Sequence, residues 1–468
     1  MESKISNRIV SLQTLLRDNN IDAVIIYSSD PHMSEYLPEH WKKREWISGF
    51  TGSAGTCVIT QSEAGLWTDS RYYLQAEEEL KDSPIQLYKD GLEDTLSIYN
   101  FIRLNVKPGG RVAIDGEMVS IAQYNNLLTN LHEYSILTSS DCTEALWKDR
   151  PSLPKARSKV YETSYTGESA TAKISRIKRC LNLKDTTFIV SALDEIAWTL
   201  NIRGSEINNN PVVISYLTIS ETDVILYIDK EKVDSKLAQY LLSQGVRCEE
   251  YNQIFNNLSH LESNALIDPR NTNIKICNAI RTDAIIQYIK SPITLFKAIR
   301  NKIEIKNVKN AMIKDGISLV QFLIWLESNT LAKITEIDIS NKLYELRAQH
   351  DSFRGESFDT IAGYKEHAAI VHYTASPQSN KILENKGLLL VDSGAQYLEG
   401  TTDITRTIPL GEVTQEEAQD YTLVLKGHIN LAMAKFPKGT RGSQLDILAR
   451  QPLWGAKKNF LHGTGHGV

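Results

Sequence analysis

The sequence predicts two α/β units in succession, followed by a third unit of α+β character. Three observations carry this reading. The 468 residues suffice for about three domains. Helical and strand-like patterns alternate through the first two units. Near residue 390, two apolar runs flank a connection rich in turn formers. Composition agrees, since 41% hydrophobic and 23% charged residues are ordinary for a chain that buries real cores. The 25 Gly and 13 Pro are together few enough to exclude collagen-like and disordered classes. With 52 basic against 57 acidic side chains the net charge is −5, so charge does not nominate a nucleic acid or a membrane surface as partner.

Ile5, Ile9, Val10, Leu12, Leu15 and Leu16 recur at helical spacing, and the charges among them exclude a secretory apolar core. The apolar run 22–27 predicts a strand closed by Ser28, Ser29, Asp30 and Pro31. Strands at 56–60 and 65–68 follow, then a polar helix around 72–80, and the first unit (1–150) ends near Trp147. Two prolines and several charges at 148–158 mark a boundary. The second unit (155–295) opens with a helix over 168–182 and a β-branched strand at 187–190, and the alternation continues to about Ile289. Its rhythm predicts the architecture of the first unit, without a repeat in the sequence. After Ser291-Pro292, a charged helix over 297–327 opens the third unit (298–468). The most apolar long stretch, 317–326, is broken by Ser318 and Gln321 and too short to span a bilayer. Strands at 388–391 and 402–408 predict a hairpin across 393–400, and helices follow over 415–435 and from Ser443. The Gly/His-rich stretch 460–468 is an unusual way for a domain to finish, and the polypeptide is expected to continue beyond it. Five cysteines (57, 142, 180, 248, 277), odd in number and without a CxxC pair, argue against a disulfide framework or structural zinc and for a reducing, cytoplasmic setting.

Asp392 ends an apolar strand and Asp403 lies in the next. A hairpin centred between Tyr397 and Leu398 sets them opposite each other, with Asp403, Thr405 and Thr407 on one face and Ile404 and Ile408 on the other. Two like charges so placed raise a pKa unless a cation neutralises them, and a divalent metal does so economically. The same spacing also fits two solvated carboxylates. His462 and His466 stand four apart, but the glycines between them favour a loop or strand over a helix, with one imidazole facing a metal. A plain terminal loop fits as well. His372 is expected directly after an apolar strand, and a single histidine there proves nothing. No Gly-x-Ser-x-Gly elbow or Cys/His pattern supports a nucleophilic hydrolase.

Together the blocks Asp392-Ser-Gly-Ala-Gln-Tyr, Gly400-Thr-Thr-Asp-Ile-Thr-Arg-Thr407 and His462-Gly-Thr-Gly-His-Gly-Val468 resemble the aminopeptidase P (Xaa-Pro aminopeptidase) family of pita-bread metallopeptidases. Residues 48–55 with 67–72 resemble its first domain, 191–198 with 201–205 its second, and 436–443 part of its third, in the long three-domain cytosolic type. The resemblance implies two creatinase-like N-terminal α/β domains and a pita-bread catalytic domain, C-terminally truncated in this chain. It implies two divalent ions, expected to be Mn²⁺, with Asp392, Asp403 and His466 as metal ligands. His372 and His462 would contact substrate or stabilise the transition state, and Arg71 would reach from the first domain towards the substrate. The implied reaction removes the residue preceding a penultimate proline from peptides. A homodimer is implied, and no nucleic acid or membrane partner. Two further glutamate ligands and a substrate histidine belong beyond the last motif, so this chain is expected to bind metal poorly and not to turn over substrate. Of the related readings, a prolidase-type dipeptidase usually has one N-terminal unit, and creatinase-type enzymes lack the metal ligands. A non-catalytic pita-bread binding module is the alternative from another functional class.

Overall fold

The computed structural model describes residues 2–139, 141–329 and 333–468, with side chains from Lys4 onward. The chain divides into two compact units: Met1–Asp69 with Tyr73–Asn307, and Ser70–Tyr72 with Val308–Val468.

The first unit holds two six-stranded sheets. Strands β1 (Ala23–Tyr27), β2 (Thr56–Thr60), β3 (Ala64–Thr68), β4 (Gln86–Lys89), β5 (Arg111–Ile114) and β6 (Ser135–Leu137) are arranged β4-β3-β2-β1-β5-β6. A short ladder of β7 (Lys159–Val160) with β9 (Ile202–Arg203) stands apart from the second sheet. That sheet comprises β8 (Thr186–Val190), β10 (Ser215–Ile219), β11 (Val224–Ile228), β12 (Arg247–Glu249), β13 (Asn264–Ile267) and β14 (Ile286–Tyr288), in the order β12-β11-β10-β8-β13-β14. The two sheets share one topology. In each, the founding strand (β1 or β8) is antiparallel to the hairpin beside it (β2–β3 or β10–β11) and parallel to the strand on its other side. Both edges are parallel pairs. β-Branched runs such as Val24-Ile-Ile26 and Phe188-Ile-Val190 are buried, as strands covered on both faces require.

The two sheets' domains are joined within this unit by a buried polar knot. His32 Nδ1 is 2.9 Å from the Ser191 carbonyl and its Nε2 2.9 Å from Tyr251 Oη. The Asn273 amide donates to the Pro31 carbonyl at 2.7 Å and to Tyr216 Oη at 3.2 Å. The expected helix over 297–327 is two helices, Pro292–Ala298 and Lys302–Asn329. Asn301 explains the break, because its Oδ1 accepts from the amides of Ile303 and Glu304 and so starts a new helix.

In the second unit, helices Lys302–Asn329 and Glu336–Ala348 cover two small sheets. Strands β15 (Phe353–Glu356), β16 (Ile361–Tyr364), β17 (Leu388–Ser393), β18 (Ala395–Tyr397), β19 (Gly400–Thr401) and β20 (Ile404–Pro409) pair as β15-β18-β19 and β16-β17-β20. Leu319, Phe322 and Leu326 from the first helix, Ile339 and Leu343 from the second, and Leu389 and Val391 of β17 form the core. Helices Gln415–Ala432 and Gly442–Gly455 follow. Among the described residues, no helix is long and apolar enough to cross a membrane.

Candidate metal centre

Strand β17 is central in its sheet, and its side chains alternate in burial. Leu389, Val391 and Ser393 face the core, whereas Leu390 and Asp392 lie on the half-open face. The ladder pairs Asp392 with Thr405 and Ser393 with Ile404, and the same register continues through Gln396–Thr401 and Tyr397–Gly400. The hairpin therefore turns at Leu398 and Glu399, one position later than the sequence suggests, and Asp403 does not stand directly across from Asp392. Its place on the ladder is opposite Gly394. A slip of two in pairing preserves parity, so Asp392, Asp403 and Thr405 still share one face. Ile404 and Ile408 pack against the core from the other face, as expected.

Two buried groups fix this end of the hairpin. Arg347, 0% exposed, donates from Nε to Asp315 Oδ1 at 2.8 Å and from Nη2 to Ser393 Oγ at 3.1 Å. Tyr397 Oη donates to the same Asp315 oxygen at 3.1 Å. At Gly394 a side chain has no room, because a Cβ would lie 2.1 Å from the Thr402 carbonyl and 2.2 Å from Ser357 Oγ. Neither Arg347 nor Asp315 is singled out by the sequence reading. A signal exists nonetheless: Glu336, Ile339, Leu343 and Arg347 recur at helical spacing on one buried stripe, so the two charges at its ends must be paired.

Asp392 is half-buried, and its Oδ1 has no hydrogen-bond partner. Burial, with the Asp403 carboxylate nearby, pushes its carboxyl above the usual range, while the hydroxyl of Thr405 works the other way. His466 Nε2 lies 3.6 Å from Asp403 Oδ2, and its Nδ1 is 3.0 Å from the Gly467 carbonyl. The ring is otherwise largely exposed, at 74% of its side chain. The structure thus brings Asp392 and Asp403 to one face and His466 to Asp403. Among the described residues, no three His, Cys, Asp or Glu side chains stand grouped so that they could hold a metal ion. A divalent cation is still the group whose chemistry suits this set, with hard oxygens, one imidazole and a buried carboxylate oxygen left unmet.

The remaining candidates also belong to the chain's second unit. The strand expected before His372 is a 3₁₀ turn, Lys365–Ala369, and His372 follows it in a turn. The alanines at 368 and 369 gave that stretch an apolar, strand-like look. The peptide is instead held by Glu336, fully buried, whose carboxylate lies 2.8 Å from His367 Nδ1 and accepts from Tyr373 Oη at 2.8 Å. It accepts as well from the amides of Tyr364 and Lys381. The His372 ring packs edge-on to Tyr72, with Nδ1 2.7 Å from the phenol oxygen. The Arg71 guanidinium lies over the Tyr72 ring at 5.3 Å. His462 sits in irregular chain beside Phe460, ring centroids 4.8 Å apart. The glycines around both late histidines do keep the segment out of a helix.

Profiles of the creatinase/prolidase N-terminal domain match residues 8–151 and 149–304, and that of metallopeptidase family M24 matches 306–468. The chain is 38% identical to Xaa-Pro aminopeptidase 1 of Dictyostelium discoideum, an alignment covering 99% of this chain and 76% of that protein. It is 36% identical to aminopeptidase P2 of Arabidopsis thaliana, over 96% of this chain and 68% of that one. The crystal structure of the Caenorhabditis elegans X-prolyl aminopeptidase, described as a cytosolic enzyme with a dinuclear active site, superposes with a TM-score of 0.93. Sequence identity there is 31%, over 100% of this chain and 79% of that one.

Proposed function

Because this chain belongs to the Xaa-Pro aminopeptidase family, whose catalytic unit is an M24 metallopeptidase domain, we propose that it releases the first residue of peptides carrying proline in second position. The observation that carries this reading is the hairpin face shared by Asp392 and Asp403, where a buried carboxylate oxygen is left without a partner.

Asp392, Asp403 and His466 would hold two divalent ions, with Mn²⁺ favoured by their hard oxygens and single imidazole. When bound, such ions lower the pKa of a water and polarise the scissile carbonyl. The protein's own contribution is placement. Arg347 and Asp315 hold Ser393, and with it the neighbouring Asp392, in one register. Glu336 fixes the turn that carries His372. His372, oriented by the Tyr72 hydroxyl, and His462 are proposed as hydrogen-bond donors to the peptide and to the oxyanion formed during cleavage. Arg71 is proposed to reach the peptide beyond the cleavage point. The two carboxylates supply −2 against the +4 of two divalent ions, and turnover by these 468 residues decides whether the ligands present suffice. The proposed assembly is a homodimer. Exposed Ile313, Ile317, Val320 and Ile324, along one face of helix Lys302–Asn329, support an association surface.

The test is hydrolysis of Lys-Pro-Pro with millimolar Mn²⁺, with products identified by mass and the assembly weighed by light scattering. Release of free lysine from a dimer is expected for the proposed activity, abolished by chelator. Cleavage confined to the dipeptide Lys-Pro, or Mn²⁺ uptake with no hydrolysis, contradicts the proposed activity. A single-chain mass contradicts the dimer.

A further inference from the structure

The segment carrying His462 and His466 has no helix or strand to hold it, and Gly463, Gly465 and Gly467 give it wide backbone freedom. An imidazole on such a chain would sample many positions, and fixing it costs conformational entropy. Something has to confine it, and helix Gly442–Gly455 supplies the means.

Arg450, on the last turns of that helix, is spent almost entirely on this segment. Its Nη2 donates to the His462 carbonyl at 2.9 Å, and its Nη1 to the Phe460 carbonyl and to Asn459 Oδ1. The guanidinium also lies 4.0 Å from the centroid of the Phe460 ring, the ring against which His462 packs. Its remaining nitrogen, Nε, donates at 2.6 Å to Asp446 Oδ2, one helical turn earlier. The other oxygen of Asp446 accepts from Thr464 Oγ1, midway between the two histidines. Arg450 therefore fixes the chain before and at His462, and Asp446 fixes it two residues before His466. Lys458 anchors the start of the segment, with Nζ 2.7 Å from Asp420 Oδ1 on helix Gln415–Ala432.

We propose that Asp446 and Arg450 are positioning residues, a clasp that sets where the imidazoles of His462 and His466 stand against the hairpin carboxylates. This inference rests on the reading of Asp403 and His466 as metal ligands. Asp446 and Arg450 do not touch the metal or the peptide themselves. They act through the hydroxyl of Thr464 and the carbonyls of residues 460 and 462. A planar five-donor guanidinium suits four separate acceptors in a way that a lysine ammonium does not.

The experiment is Mn²⁺ binding by the 468-residue chain, with free Mn²⁺ counted by electron paramagnetic resonance and melting temperature recorded in parallel. Thr464→Val removes one hydroxyl from an irregular segment, and Arg450→Lys keeps the charge while losing the fork. Each is expected to weaken Mn²⁺ binding about tenfold, the scale of losses when partners of metal ligands are removed. Melting temperature should stay within about 1–2 °C, as for substitutions outside the core, and Thr464→Ser, which retains the hydroxyl, should restore affinity. His466→Ala and Asp403→Ala are the controls. If they leave Mn²⁺ binding unchanged, or the unaltered chain takes up none, the ligand reading fails and the clasp with it. If the controls weaken binding while Thr464→Val and Arg450→Lys do not, the ligand reading stands and the clasp is overturned.

Discussion

At the scale of single residues, environment decides what a side chain is for. His32 is enclosed by Trp41, Tyr216 and Tyr251, and burial pushes its imidazole down to about 3 from an ordinary 6.5. Neutral in the folded chain, with Nδ1–H donating to the Ser191 carbonyl and Nε2 accepting from Tyr251, it satisfies both ring nitrogens without a charge. The folded pKa lies below the unfolded one, so between about 6.5 and about 3 the unfolded chain holds a proton that the folded chain does not. Its contribution to stability is intact above pH 6.5 and falls as the medium is acidified, by up to about 1.4 kcal/mol per pH unit. Chemical denaturation of the unaltered chain and His32→Gln at pH 7.5 and pH 5 measures this. The variant is expected to be less stable at pH 7.5 and to lose less on acidification; equal losses in the two chains would contradict the assignment. Nothing in Asp30-Pro-His-Met33 announces this, because burial by distant aromatic side chains leaves no mark on local sequence. Asp392, Asp403 and His466 were legible as a group because short motifs fix their separation along the chain. The unmet Oδ1 of Asp392 was not, since it depends on what the third dimension fails to bring.

At the scale of elements, strands of the hairpin were readable from apolar runs, but their register was not. The sequence places turn formers throughout 393–400, so several centres are compatible with it, and the choice falls to packing. Gly394 admits the Thr402 carbonyl where any side chain would clash, and Arg347 grips Ser393 from behind. These contacts fix the turn at Leu398 and Glu399. The break at Asn301 leaves little mark on the sequence, because helical periodicity continues across a cap. The Arg347–Asp315 pair makes a prediction that belongs here. Arg347→Met leaves the Asp315 carboxylate buried without its main partner and should cost about 3–5 kcal/mol, the range for breaking a buried pair from one side. The double change Arg347→Met with Asp315→Leu should recover much of that loss, since both charges are then gone. Urea unfolding of the three chains decides it, and a double variant no more stable than Arg347→Met would show that the pair itself is not what matters.

At the scale of the whole molecule, the duplicated architecture was visible as rhythm and became certain only as topology. Both six-stranded sheets arrange their strands alike, although no sequence repeat links them. What they share is the placing of apolar β-branched runs and turns, which constrains strand order without constraining residue identity. The M24 unit is legible for the opposite reason, since its motifs specify chemistry. Asp392, Asp403 and His466 are proposed to converge on divalent cations. Anomalous diffraction from crystals soaked in millimolar MnCl₂, collected near the manganese edge, tests it most directly. An anomalous peak is expected within about 2–2.5 Å of carboxylate oxygens from both Asp392 and Asp403, the range for hard cations on oxygen. Crystals showing manganese bound only elsewhere, with those two carboxylates bare, would contradict it.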